Sequence, residues 1–145
     1  METLLIWFDN LRSVVTPNYY VQKLFSTNKG TDVVKILQDG NILAGKDSLY
    51  ASAVIDKQQA VLIIKIVNSS SSPQNIELDL AGIKPAKKNG VMQVLAANDL
   101  YSYNKLSELD KLAPTEKNFL LKANKITEQL LPYSLSVFKI PYIIK

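Results

Sequence analysis

The chain of 145 residues contains neither cysteine nor histidine. Without cysteine there is no disulfide and no thiolate metal site, although this alone does not decide on which side of a membrane the protein works. Without histidine there is no Ser-His-Asp or Cys-His machinery, no imidazole metal ligand and no general base of the usual kind near neutral pH. No cofactor and no metal site are therefore expected. Apolar runs are also short. Ala60 to Ile64 is closed by Lys65, far below the ~20 residues that cross a bilayer, so no membrane span is expected. The opening Met1-Glu2-Thr3 lacks the basic flank of a signal peptide. A strong charge of one sign is missing as well: 17 basic and 13 acidic residues leave +4. The lysines stand singly along strands, as on solvated surfaces and protected sheet edges, and this argues against a nucleic-acid partner.

What is present is enough for one folded domain. A hydrophobic content of 47% in 145 residues supports a real core without crosslinks. One segment near the N-terminus reads clearly as a helix, Thr16 to Asn28. Thr16 can cap it with its hydroxyl, and Pro17 suits a first helical position where no N–H is needed. Pro17, Tyr20, Val21, Leu24, Phe25 and Asn28 share one face at i, i+3, i+4 spacing, so the helix has a stripe to bury. Asn28-Lys29-Gly30 predicts the end, with a basic last turn and a glycine in the left-handed conformation.

From Thr31 the period changes to two. Strands are predicted over Asp32 to Gln38, with a turn at Asp39-Gly40-Asn41, and over Leu49 to Asp56 and Ala60 to Val67, a hairpin across Lys57-Gln58-Gln59. The second of these reads as central and partly wet on one face. Asn75 to Leu80, Val91 to Ala97, Asn118 to Ala123, Lys125 to Leu130 and Ser134 to Ile140 follow. Between them lie a loop at Asn68 to Pro73, a Lys, Pro and Gly-rich connection at Gly82 to Gly90, and a long loop from Asp99 to Pro114 with one helical turn. About eight or nine short strands with turn signals every ~8–12 residues predict a mainly β fold, an antiparallel, jelly-roll-like β-sandwich with one N-terminal helix. Leu4-Leu5-Ile6-Trp7-Phe8 is the anomaly. It reads as a strand buried on both faces, as in a parallel sheet, yet nothing else in the chain supplies parallel neighbours. Such a strand should pack on the sandwich or pair with another copy of the chain.

Ile6-Trp7-Phe8-Asp9-Asn10, then Thr16-Pro17-Asn18-Tyr19-Tyr20-Val21-Gln22-Lys23-Leu24-Phe25-Ser26 and Gly30-Thr31, closely resemble the junction between the barrel and the C-terminal domain of family-51 glycoside hydrolases, the α-L-arabinofuranosidases. Leu49-Tyr50-Ala51-Ser52-Ala53, Ile64-Lys65-Ile66-Val67-Asn68 and Leu131-Pro132-Tyr133-Ser134 are similar to that family's C-terminal domain in the same order, while Lys84 to Lys125 matches loosely. The resemblance implies that residues 1–30 are the remnant of the last βα unit of a (β/α)8 barrel and that 31–145 are the C-terminal β-sandwich domain of a longer parent. That parent would remove terminal non-reducing α-L-arabinofuranosyl units from arabinose-containing polysaccharides by a retaining mechanism. The missing barrel is then the main partner, and a homo-oligomeric parent, secreted or periplasmic, is compatible with the resemblance.

Retaining glycosidases need two carboxylates about 5 Å apart. The resemblance puts both at the ends of barrel strands upstream of Met1, so no catalytic residue is expected here. Of the glutamates present, Glu2 is terminal, Glu77 lies on the polar side of an alternating strand, and Glu108, Glu116 and Glu128 lie in polar surroundings that would not perturb a pKa. Asp9 and Asn10 follow the barrel-type strand, whose C-terminal end would face an active site. Asn10 is accordingly the candidate substrate-binding residue of an intact parent, although a plain loop before the helix explains both residues. Trp7 reads as packed core, and Tyr19 and Tyr20 as docking residues between helix and sandwich. Lys84, Lys87 and Lys88 form a small basic cluster, in the first place a solvated loop and otherwise a holder of anions or acidic polysaccharide. Asn68-Ser69-Ser70 matches a glycosylation sequon within a segment that reads as a flexible loop tip. The rival readings are a carbohydrate-binding module, which needs an aromatic platform from the scattered Tyr50, Tyr101, Tyr103, Tyr133 and Tyr142, and an accessory domain of a related endoglucanase.

Overall fold

A computed structural model describes residues 5–109 and 111–144; Glu2 and Leu4 lie outside them. In chain order the elements are β1 (Ile6–Phe8), β2 (Ser13–Val15), α1 (Pro17–Thr27), β3 (Asp32–Val34), β4 (Leu37–Gln38), β5 (Asn41–Ile42), β6 (Leu49–Asp56), β7 (Val61–Asn68), β8 (Gln74–Asp79), β9 (Asn89–Ala96), β10 (Thr115–Leu120), β11 (Lys125–Leu130) and β12 (Ser134–Pro141). The fold is mainly β and all strand pairs are antiparallel, as expected. A six-stranded sheet runs in the order β10-β9-β12-β7-β6-β3, and β8 and β11 form a two-stranded ribbon.

Alternation along the strands explains how the layers stack. In β7, Leu62, Ile64 and Ile66 point into a core shared with Met92, Val94, Phe138 and Ile140 of the same sheet and with Leu80, Ile126 and Leu130 from the ribbon side. Ile36 and Leu43, which flank the β4–β5 hairpin, pack on the edge of this core. Lys117 of β10 and Glu128 of β11 join the two layers at 2.8 Å. The sandwich is thus unequal, six strands against a ribbon.

The opposite face of the large sheet is covered by the helix. Leu24 is buried with Ile63, Leu95, Leu135 and Val137, and Tyr20 and Val21 pack against that cluster. Thr16 caps α1 by accepting from the Tyr19 N–H at 3.4 Å, and Pro17 stands at its start. The C-terminal end differs from expectation. Lys29 lies beyond the last turn, and the end is held by the buried Asn28, whose Nδ2 donates to the Leu24 carbonyl at 2.8 Å. Gly30 does not adopt a positive φ. Its requirement is steric, since a Cβ there would lie 2.6 Å from the Ile55 carbonyl oxygen.

Because the helix covers what would otherwise be a wet face, β7 is buried on both sides, including Lys65 at 7% exposure. Its Nζ lies 4.9 Å from the Phe25 ring centroid of α1, a cation–π contact.

Other boundaries shifted for local reasons. The strand predicted from Asp32 to Gln38 breaks after Val34, and the chain turns back through Asp39 and Gly40, both at positive φ. β10 starts three residues before the predicted strand because it is an edge strand. Thr115 to Asn118 are all exposed and carry no alternation to read. Among its described residues the Asp99 to Pro114 segment contains turns and bends but no helix. The Ser69 to Ser72 loop is not a free tip. Asn68 is fully buried, its Nδ2 donating to the carbonyls of Ser72 and Leu131 and its Oδ1 accepting from the Ser70 N–H and hydroxyl. An amide so engaged is closed to glycosylation.

Burial lowers the Lys65 pKa below the ordinary lysine value. Between that lowered value and about 10.4, the unfolded chain holds a proton that the folded one has released, so stability should rise with pH across that window. Denaturant titrations from neutral pH to pH 10.5 should show this rise in the parent chain and a flat profile in Lys65→Met.

Candidate docking surface

The Leu4 to Phe8 expectation is corrected first. Ile6–Phe8 pairs antiparallel with Ser13–Val15, Ile6 opposite Val15 and Phe8 opposite Ser13, and belongs to no larger sheet. The reversal is built by Asp9, whose Oδ1 accepts from the N–H groups of Leu11 and Arg12 at 2.8 and 2.7 Å. These amides, followed by the Arg12 guanidinium, hold the Asp9 carboxyl below its ordinary pKa. Paired with β2 along one edge, the strand joins neither the main sheet nor a parallel neighbour within the chain, and all three β1 residues are exposed. Trp7 is 39% exposed, so it is not the core residue that the apolar run suggested.

The hairpin is nevertheless anchored. Val14 is buried, and Asn104, itself buried in the long loop, donates from Nδ2 to the carbonyls of Val15 and Leu112 at 3.0 and 2.8 Å and accepts from the Leu112 N–H at 2.6 Å. One side chain therefore fixes the 99–112 loop on itself and on β2. Sequence reasoning missed it, since an asparagine in a loop of weak period carries no signal of long-range contact.

Around this staple large apolar side chains face solvent. Phe8 and Leu11 on the hairpin are 81% and 92% exposed, and Leu100, Tyr101 and Tyr103 on the loop are exposed as well. A groove of about 360 Å³ joins the start of α1 to the loop, lined by Pro17, Val21 and Phe25 from the helix, Leu95 and Leu135 from the sheet, and Leu100 and Leu112. Large apolar side chains left exposed in this way are what an interaction surface presents. Asn10 sits exposed at the hairpin tip, its side chain without a hydrogen bond among the described residues. Tyr20 contacts the sheet side of the helix, whereas Tyr19 stacks edge-on against Tyr20 at 5.5 Å and lies under Lys23.

Each glutamate among the described residues has a local partner. Glu77 pairs with Lys125, Glu108 with Lys111 and Glu128 with Lys117, while Glu116 accepts from Gln93. Among the described residues no group of three or more carboxylates is placed to hold a metal ion. The tyrosines do not form one platform either, since Tyr50 lies on β6, Tyr101 and Tyr103 on the loop, and Tyr133 and Tyr142 are half-buried. No helix among the described residues is long and apolar enough to cross a membrane.

A unit of this kind, a β-sandwich with a covering helix and an exposed apolar hairpin, is an accessory domain. The profile of the α-L-arabinofuranosidase C-terminal domain matches residues 1–134, and the chain belongs to that family. It is 27% identical over 135 residues to probable α-L-arabinofuranosidase A of Aspergillus oryzae and, equally, to that of Aspergillus flavus. These alignments cover 92% of this chain, and the chain spans about a fifth of the length of those relatives. In fold it is similar to the arabinose-bound α-L-arabinofuranosidase MgGH51, with TM-score 0.84 and 21% identity over 99% of this chain and 22% of that one. The Thermotoga maritima α-L-arabinofuranosidase in its arabinose complex gives TM-score 0.77 and 16% identity over 95% of this chain and 31% of that one.

Replacing Asn104 by alanine should cost roughly 2–3 kcal/mol, because the Val15 and Leu112 backbone groups lose a buried partner. Chemical denaturation gives the loss, and faster amide exchange confined to the hairpin and residues 99–112 identifies its origin. Unchanged stability and exchange would show that the staple does not hold the loop.

Proposed function

We propose that this chain is the non-catalytic C-terminal domain of an α-L-arabinofuranosidase and that its hairpin, helix start and 99–112 loop dock against the catalytic barrel. The observation that carries the reading is the stapled hairpin, which holds Phe8 and Leu11 in water on a surface otherwise built to be covered. Burying those two side chains contributes about 3–6 kcal/mol toward such docking. Family membership, and the small share of the relatives' length that the chain spans, support the same assignment.

On this reading residues 1–30 are the last βα unit of the barrel. In the whole enzyme β1 takes a parallel neighbour from the barrel along the edge that β2 leaves free. Asn10 then borders the sugar site at the C-terminal end of that strand. The whole enzyme hydrolyses terminal non-reducing α-L-arabinofuranosides of arabinose-containing polysaccharides with retention, its two carboxylates supplied by the barrel. Without a barrel, the same apolar residues are those through which two copies of the chain would associate.

The test is to produce the barrel encoded upstream in the genome as a separate polypeptide together with this chain. The two should co-elute on size exclusion, and Phe8→Glu with Leu11→Glu should abolish co-elution while leaving the circular dichroism and thermal unfolding of this chain unchanged. Absence of any upstream barrel, or co-elution indifferent to both substitutions, would contradict the proposal.

A further inference from the structure

We propose that the opposite end of the sandwich carries a binding site for carboxylate-bearing saccharides, formed by Lys87, Lys88 and Lys122. The connection between β8 and β9 and the turn between β10 and β11 enclose a cleft of about 620 Å³. Lys87 and Lys88 stand on one wall and Lys122 on the other, with Pro85, Ala86 and Leu121 between them and no carboxylate in the lining.

What sets this cleft apart is that several unpaired lysines line it; Lys29, Lys35 and Lys139 are also unpaired among the described residues but lie outside its lining. Lys46, Lys57, Lys111, Lys117 and Lys125 each pair with a carboxylate, and Lys23, Lys65 and Lys105 lie over aromatic rings. Lys87, Lys88, Lys122 and the adjacent Lys84 have neither kind of partner among the described residues. Ammonium groups gathered without anions around one concavity focus a positive potential there.

The walls are fixed relative to each other. The Leu121 N–H donates to the Lys88 carbonyl at 2.9 Å, the Ala86 N–H to Pro141 at 2.8 Å, and the Leu80 N–H to Asn124 at 3.0 Å. The cleft is therefore a formed site, not a meeting of mobile loops.

Its chemistry selects the ligand class. Three ammonium groups suit carboxylate oxygens. Pro85 and Ala86 offer a small apolar patch to the C–H face of a pyranose, Leu121 being buried in the core, and the Asn124 side chain, without a hydrogen bond among the described residues, offers a donor and an acceptor to hydroxyls. A uronic acid unit combines all three demands. A nucleic-acid strand would call for an aromatic platform, and no ring lines the cleft.

Position makes the site independent of the docking surface. β9 runs from Asn89 at the cleft to Ala96 at the start of the 99–112 loop, which separates the two by roughly 23 Å at ~3.3 Å per residue. The cleft stays open whatever covers the hairpin.

The test is a titration of the whole chain with oligogalacturonate at low salt, followed by heteronuclear NMR, with an arabino-oligosaccharide and a single-stranded DNA oligomer as comparators. Shifts should be confined to residues 85–88 and 121–124. Lys87→Glu with Lys122→Glu should weaken binding at least about tenfold, and the same charge change in Lys29→Glu with Lys35→Glu should leave it intact. The proposal is overturned by no binding, by equal binding of the neutral oligosaccharide or of DNA, or by equal loss in the control variant.

Discussion

Everything else in the molecule depends on covering the second face of the six-stranded sheet. β7 and β12 are buried on both sides, which a sandwich with only a two-stranded ribbon on one face cannot achieve. The missing layer is α1, and the contact is made chiefly by Leu24 over Ile63, Leu95, Leu135 and Val137. Fully burying a leucine of this kind contributes about 1.5–3 kcal/mol, a sizeable share of the net stability of a small domain. The same placement dehydrates Lys65 and sets the start of the helix, and with it the hairpin, at one end of the sheet.

That dependence explains which features the sequence displayed. The stripe Tyr20, Val21, Leu24 is read at helical spacing because burial imposes the period. Thr16 and Pro17 mark the start because the first amides need an acceptor. Lys125 to Leu130 was bounded correctly, since Ile126 and Leu130 alternate with exposed Thr127 and Gln129. Lys65 misled the reading of β7, because a lysine ordinarily marks a wet face and only the helix above it makes the face dry. Gly30 was assigned the wrong role for a related reason. A glycine next to a helix end usually serves φ, and here it serves the close passage of β6, which is distant in sequence.

Of the surface, the exposed hairpin was legible only as a contradiction, an apolar run with no sheet to join. Its antiparallel partner was invisible, because Ser13-Val14-Val15 is too short to register against a longer helix signal. Asn68 and Asn104 illustrate a further limit. Both are buried and hold loops through carboxamide bonds to distant backbone, and neither differs in the sequence from an asparagine in a turn. The basic cleft was half legible: Lys84, Lys87 and Lys88 are neighbours in the chain, whereas Lys122 reaches them through the pairing of β9 with β10. The molecule is thus differentiated along the strands of its main sheet, with exposed apolar side chains on the hairpin and the 99–112 loop and unpaired lysines around the cleft at the other end.

Native-state amide hydrogen exchange, comparing α1 with β7 and β12, tests most directly whether the helix is an integral layer. If it is, the amides around Leu24 exchange only with global unfolding and share the free energy of the central strands. Exchange of α1 through local opening, orders of magnitude faster while β7 and β12 stay protected, would contradict the account.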